Sequence, residues 1–308
     1  MILCITPNPA IDRTLVLPGL TPGDVHRAQK VIVAAGGKGL NVARAIRTLG
    51  SDPLCMGFAG GHTGRLLTDL AEGEGLHPAW TWTNSDTRTC TILVAQDGDA
   101  TVINEPGDPL SSEDWKRLQQ DVQQQLSSTR LVCISGSLPP NSSSEDLGGL
   151  LTMLIGAGKQ VWVDTSGMAL HTALAFPDIC IKVNGSEIGE VLGLDVQDIA
   201  SARRALLVLG QRGLTTAVLT LGAAGALLLT KQGRWHAQGP LVDVISTVGS
   251  GDSFLGGLVS ALDAGKDWPE VLRDAVAAGT ANTLSAGGGQ FLLEQFEDIR
   301  QRTQIQVW

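Results

Sequence analysis

An α/β fold, with a mainly parallel central sheet covered by helices on both faces in a three-layer α/β/α sandwich, is what this sequence predicts. Three observations lead there. Short β-branched or apolar runs recur along the chain, amphipathic stretches of helical length separate most of them, and the runs are too continuously apolar to keep one face wet. In chain order the strands are expected at Ile2 to Thr6, Pro53 to Ala59, Leu131 to Ser135, Val161 to Asp164, Ile179 to Val183, Ala217 to Leu221 and Ala226 to Thr230. Long helices at roughly Gly251 to Ala264 and Pro269 to Ala286 fill the last third. The second of these is rich in alanine, glycine and threonine, which lets another backbone approach it closely. In such a fold, function belongs at the carboxyl ends of the parallel strands.

Two segments break this rhythm. Asp12 to Ala34 and Arg88 to Gly107 alternate in polarity like strands, and the second carries the turn Gln96-Asp97-Gly98-Asp99. Both read as one small accessory sheet, a flap formed by about 12–34 and 88–107 and inserted into a single domain spanning 1–308. A flap over a site is a lid candidate, and an antiparallel edge extension without motion is the alternative.

With 308 residues and 43% hydrophobic content, the chain can bury a large core. Its net charge of -9 disfavours phosphate backbones and anionic lipid, so no nucleic-acid or membrane partner is expected. An anionic ligand must then be held by a few placed cations and backbone N–H groups. The five cysteines are widely spaced and fit neither a disulfide framework nor a metal clamp. They read as small buried residues in a reducing, cytoplasmic setting. The first residues enter a strand pattern directly, without a basic region or cleavage site, and no apolar stretch is long enough to span a membrane.

The most informative stretch is Ser246-Thr247-Val248-Gly249-Ser250-Gly251-Asp252-Ser253-Phe254, a glycine-bearing turn into an apolar helix. N–H groups of Gly249, Ser250 and Gly251 at a helix N-terminus make an anion site. A carboxylate there would repel a resting phosphate unless its task is to take a proton while charge develops nearby. Helix capping by Asp252 and Ser253 is the competing reading, and the motif alone leaves the two level. A second cluster, Gly36-Gly37-Lys38-Gly39-Leu40-Asn41, also precedes a helix. It is not a Walker A loop, since Val33 and Gly39 stand where that motif needs glycine and a hydroxyl residue. It can still hold an anionic, hydroxyl-rich ligand, with Lys38 as a point charge.

Asp12, Arg88, Ser137 and Asp164 each fall at a strand end or loop, where capping or solvation competes with function. Asn184 and Glu187 stand three apart at a helix start, which suits an outer-sphere Mg2+ site and equally a plain capping pair. The five histidines lack metal-ligand spacing, no Gly-x-Ser-x-Gly elbow is present, and no complete Gly-x-Gly-x-x-Gly follows the first strand. Metallohydrolase, esterase and dinucleotide-dependent reductase readings lose support accordingly.

Gly36-Gly37-Lys38-Gly39-Leu40-Asn41 and Thr247-Val248-Gly249-Ser250-Gly251-Asp252 together resemble the two signatures of the PfkB or ribokinase-like carbohydrate kinases, and the resemblance covers nearly the whole chain in order. Thr6-Pro7-Asn8-Pro9-Ala10-Ile11-Asp12, Lys38, Thr87-Arg88 and Ser135-Gly136-Ser137-Leu138-Pro139 look like the branch acting on sugar phosphates. Ser246-Thr247-Val248-Gly249 is similar to 1-phosphofructokinases, with tagatose-6-phosphate kinases next. The resemblance implies a ribokinase-like fold, ATP as co-substrate with Mg2+, and phosphorylation of a ketohexose phosphate. The leading substrate is fructose 1-phosphate, giving fructose 1,6-bisphosphate; tagatose-6-phosphate kinase and 6-phosphofructokinase are the alternatives, and a non-catalytic sugar or nucleotide sensor is the reading from another class.

Carried over by position, the resemblance implies Asp252 as general base, with Gly249, Ser250 and Gly251 holding the charge on the transferred group. It implies Asp12, Gly37 and Asn41 at the sugar hydroxyls, and Lys38, Arg88 and Ser137 at the existing phosphate. Asn184, Glu187 and Asp164 would organise the waters of Mg2+, while Lys182, Thr220, Gly222, Gly225 and Asn282 would line the nucleotide. Relatives often pair their lid strands between subunits, which implies a homodimer through the lid. Two positions depart from the pattern. Ser246 stands where many relatives carry an acidic residue of a monovalent-cation site, so a potassium requirement does not carry across, and Val183 stands where proline is frequent.

Overall fold

The computed structural model describes residues 1–95 and 100–308. Along the chain, β1 (Ile2–Thr6) leads to β2 (Ala10–Leu17) and β3 (Lys30–Gly36), then α1 (Lys38–Thr48), β4 (Leu54–Gly60), α2 (Gly61–Gly73) and β5 (His77–Thr83). Next come β6 (Arg88–Ala95), β7 (Ala100–Asn104), α3 (Ser112–Gln125), β8 (Leu131–Ser135), α4 (Ser144–Gly156), β9 (Gln160–Asp164) and α5 (Gly167–Ala173). The remainder is β10 (Cys180–Asn184), α6 (Gly185–Leu192), α7 (Ile199–Gln211), β11 (Thr216–Thr220), β12 (Ala226–Leu229), β13 (Arg234–Gln238), α8 (Ser250–Asp263), α9 (Trp268–Asn282), α10 (Leu293–Arg302) and β14 (Gln304–Val307).

The large sheet has the order β14-β13-β12-β11-β10-β9-β8-β1-β4-β5. It is parallel from β5 to β11 and antiparallel from β11 to β14. Because strand side chains alternate, β1 feeds two cores at once. Leu3 and Ile5 join the cluster made with α3, α4, α5, α6 and α7, while Ile2 and Cys4 join that made with α1, α2, α8 and α9. The three layers expected from the apolar runs follow from this two-sided burial. All five cysteines are buried and free. No helix among the described residues is long and apolar enough to cross a membrane.

The chain continues from β1 to β4 on one side and returns to β8 on the other, so the strand order reverses at β1 and β8. A reversal of this kind opens a crevice beyond the carboxyl ends of the two strands, where such folds bind ligands. Over it stands the second sheet, β3-β2-β6-β7, in which β2 and β6 pair parallel over Ala10 to Leu17 and Arg88 to Ala95. This is the accessory sheet expected from the two polar-alternating segments. The turn at 96–99 lies outside the described residues.

Some boundaries differ from expectation. α9 stops at Asn282, short of Ala286, because the side chain of Asn282 binds the backbone of the following loop. β5, β13 and β14 were not expected from the apolar runs, since His77-Pro78, Arg234 and Gln304 make them polar edge-side strands.

Candidate active site

Gly249 is the N-cap of α8 and adopts φ 75°, a left-handed conformation that favours glycine. A Cβ there would also come within 2.4 Å of Gly288 Cα. No side chain caps this helix, which leaves the positive end of a 14-residue dipole available to an anion. The capping alternative for Asp252 and Ser253 is therefore not realised. Asp252 lies inside the first turn and turns to Asn41, whose Nδ2 donates to Asp252 Oδ2 at 2.8 Å. Ser253 donates to Asn282 Oδ1 at 2.9 Å.

Asp252 is only 5% exposed. Burial, reinforced by the nearby negative charge of Asp164, pushes its carboxyl from 3.8 up to about 6, while Lys182, Asn41 and Lys38 pull it back. A carboxylate held near 6 is mostly ionised at neutral pH yet basic enough to accept a proton.

Behind it lies an ion-pair cluster. Asp164, at the end of β9, is fully buried; its Oδ2 meets Lys182 Nζ at 2.7 Å and its Oδ1 lies 3.5 Å from Lys38 Nζ. Lys38 opens α1, next to the N-cap Gly37, and also approaches Glu187 Oε1 at 3.8 Å. Asp164 foremost, with Asp252 and Glu187, holds the Lys38 ammonium above its usual range against the cost of burial. Asn184 and Glu187 form a reciprocal capping box at the start of α6, so the capping pair expected as an alternative is present. A hydrated divalent cation fits this donor set: Asp164 Oδ1 is a buried oxygen without a hydrogen-bond donor, and Glu187 shares Lys38 with it. Among the described residues, no cluster of three acidic, histidine or cysteine side chains could close on a bare ion.

On the lid side, Arg88 donates through Nη2 to Asn8 O at 3.0 Å and through Nη1 to Glu105 O at 2.9 Å. It lines a cleft with Asn8, Asp86, Thr87, Gly107 and Pro139. Asp12, on β2, packs so closely against Gly36 that a Cβ there would overlap its carboxylate. Burial raises the Asp12 carboxyl, with Arg44 and Arg88 opposing. Ser137 is exposed just beyond β8.

On the other side of α8 lies a cavity of about 330 Å³. Thr220, Gly222, Gly225, Ser250 and Gly251 line it, and Leu241, Val242, Val244, Phe254 and Val276 make it largely apolar. A flat heterocycle with a polyphosphate tail reaching the α8 N-terminus matches that lining. Lys182 and Asn282 do not line this cavity. Lys182 is paired with Asp164 beneath Gly251. Asn282 has no exposed surface: its Oδ1 accepts from Gly289 N at 2.8 Å and Gln290 N at 3.2 Å, and its Nδ2 donates to Val248 O at 2.8 Å. Its place is to tie the anion loop to the segment after α9. Lys38 likewise stands with Asp164, Glu187 and Asp252, not with Arg88. A buried cation, Arg44, escaped sequence reasoning; its one signal is a charge inside the apolar run Val42 to Ile46.

The model of the pfkB family carbohydrate kinases matches residues 5–295. A 1-phosphofructokinase of Haloferax volcanii is 33% identical over 100% of this chain and 98% of its own length. The crystal structure of phosphofructokinase-2 from Escherichia coli in complex with fructose-6-phosphate is 28% identical, with a TM-score of 0.89 over 97% of this chain and 98% of that one. A ribokinase from Thermotoga maritima, 20% identical, shares the fold with a TM-score of 0.76 over 98% and 99% of the two chains.

Proposed function

The chain belongs to the pfkB family of carbohydrate kinases and is a sugar-phosphate kinase, and we propose that it transfers the γ-phosphoryl group of ATP to fructose 1-phosphate, with Asp252 as general base. The observation that carries this reading is the buried Asp252 carboxylate at an uncapped helix N-terminus, flanked by the 330 Å³ cavity. The curated relative that bears the name 1-phosphofructokinase supports the choice of sugar phosphate.

In this mechanism ATP occupies the cavity beside Thr220, Gly222 and Gly225, its γ-phosphate at the N–H groups of Gly249, Ser250 and Gly251. The sugar phosphate enters the crevice under the lid, with Asp12, Gly37 and Asn41 at its hydroxyls and Arg88 and Ser137 at its phosphate. Asp252 accepts the hydroxyl proton as the oxygen–phosphorus bond forms in line with departure of ADP. Most of the barrier reduction comes from positioning and from stabilising charge on the equatorial oxygens, for which Lys182, beneath Gly251, and Lys38 are the cations that bear on Asp252. Asp164, Glu187 and Asn184 would hold Mg2+ through its waters, and that ion supplies charge neutralisation on the polyphosphate. The lid sheet excludes water and limits wasteful hydrolysis. Exposed apolar side chains on its edge strands, Val31, Ile32 and Val33 with Val102 and Ile103, support a homodimer through the lid.

A coupled ADP-release assay tests the substrate. Mg-ATP is offered with fructose 1-phosphate, fructose 6-phosphate, tagatose 6-phosphate and free fructose. Turnover with fructose 1-phosphate above the others is expected. Preference for another sugar phosphate keeps the mechanism and changes the substrate, and no ADP from any of them would overturn the reading.

A further inference from the structure

Asn41 and Arg44 lie three residues apart on one face of α1. Arg44 is 9% exposed, and four of its five N–H donors are engaged. Its Nη1 donates to Asn41 Oδ1 at 2.7 Å, its Nη2 to Glu74 Oε1 at 3.1 Å and to Ala35 O, and its Nε to Glu74 Oε2. A guanidinium has donors only. The amide oxygen of Asn41 must therefore face Arg44, and its Nδ2 is left as the group presented to Asp252. The backbone contact to Ala35 and the bidentate pair with Glu74 hold the guanidinium plane from the other side.

We propose that Arg44, clamped by Glu74, is a positioning residue that locks the amide of Asn41 so that it can only donate to Asp252. The proposal rests on Asp252 being the base. Released from Arg44, Asn41 can turn its oxygen toward the carboxylate, which then loses a hydrogen bond that favours its charged form. The other groups bearing on Asp252 are Asp164 on β9, Lys182 on β10 and Lys38 on α1; Glu187 on α6 bears on Lys38. None of these contacts Arg44, so they stay in place when it changes. Arg44 also acts on Asp12, which makes the KM for the sugar phosphate a separate readout.

The test is the pH profile of kcat for Arg44→Met and Asn41→Ala, singly and together, with Asp252→Asn measured alongside. Arg44→Met is expected to move the acid limb upward by roughly one pH unit, the worth of one hydrogen bond to a carboxylate. In the Asn41→Ala background the same change should add no further shift, because the path through Asn41 is gone. An unmoved acid limb, or full additivity, would overturn the assignment while loss of turnover in Asp252→Asn leaves the base in place. Full turnover in Asp252→Asn would overturn both. Should Arg44→Met fail to fold, Arg44→Lys serves, since one ammonium cannot reach Ala35, Glu74 and Asn41 in the same plane; an unmoved limb there overturns the assignment equally.

Discussion

At the residue scale the site is governed by how few charges are left in water. Asp252 is buried, and its raised carboxyl predicts a kcat that falls about tenfold per pH unit below about 6, as the proposed base becomes protonated. Asp252→Asn should lower kcat by roughly 10²- to 10⁴-fold, the range for a positioned general base. Linkage gives a second, independent outcome. A carboxyl raised in the folded state contributes stability below its unfolded value that is lost as pH rises through about 6. Asp252→Asn should therefore melt at a higher temperature than the parent at pH 8, with the gain vanishing near pH 4; calorimetry at the two pH values checks it. The cations divide by place. Arg88→Ala is expected to raise the KM for the sugar phosphate far more than that for ATP. Lys38→Ala, at the Asp164 and Asp252 end, should act chiefly on kcat. Initial-rate kinetics with each substrate varied in turn would refute this division if the two variants behaved alike.

At the scale of elements, the anion loop depends on two neighbours that are remote in sequence. Gly249 is pressed against Gly288, and Asn282 ties Val248 to Gly289 and Gln290. Asn282→Ala leaves several buried groups without partners and should cost about 1–3 kcal/mol in urea unfolding, together with a large part of kcat. Normal stability with reduced ATP affinity alone would instead return Asn282 to the nucleotide. Much of this level was legible beforehand. The parallel strands of the large sheet other than β5, and α8, were visible because their apolar runs are unbroken, and both glycine signatures were visible because each is a local run of glycines leading into a helix. β5, β13 and β14 were not, since polar residues interrupt them and they lie at or next to the edges of the large sheet. Asn184 and Glu187 show the limit of short motifs: one spacing satisfies both a capping box and a cation's water shell, and the capping box is what the fold displays.

For the whole molecule, the balance is between an acidic surface and an anionic substrate. A net charge of -9 gives no general attraction for sugar phosphate or ATP, so in the proposed mechanism recruitment falls to Arg88 and the helix N-terminus. The second sheet carries exposed apolar side chains on both edge strands, with Val102 and Ile103 about half exposed on one and Val31, Ile32 and Val33 on the other. Unpaired edges of that kind associate unless covered. Sedimentation at micromolar concentration should report a dimer, and Val33→Glu with Ile103→Glu should yield monomers; a monomeric parent would remove the dimer. By itself the sequence determined the layered α/β architecture, the accessory sheet and the two loops bearing Lys38 and Asp252, because periodicity and glycine placement are local properties. Only the tertiary structure decided which charges meet. The pairing of Asp164 with Lys182 and Lys38, and the run from Glu74 through Arg44 and Asn41 to Asp252, join positions from separate elements, and their energies depend on a shared burial that exists only once the sheet has brought those elements together.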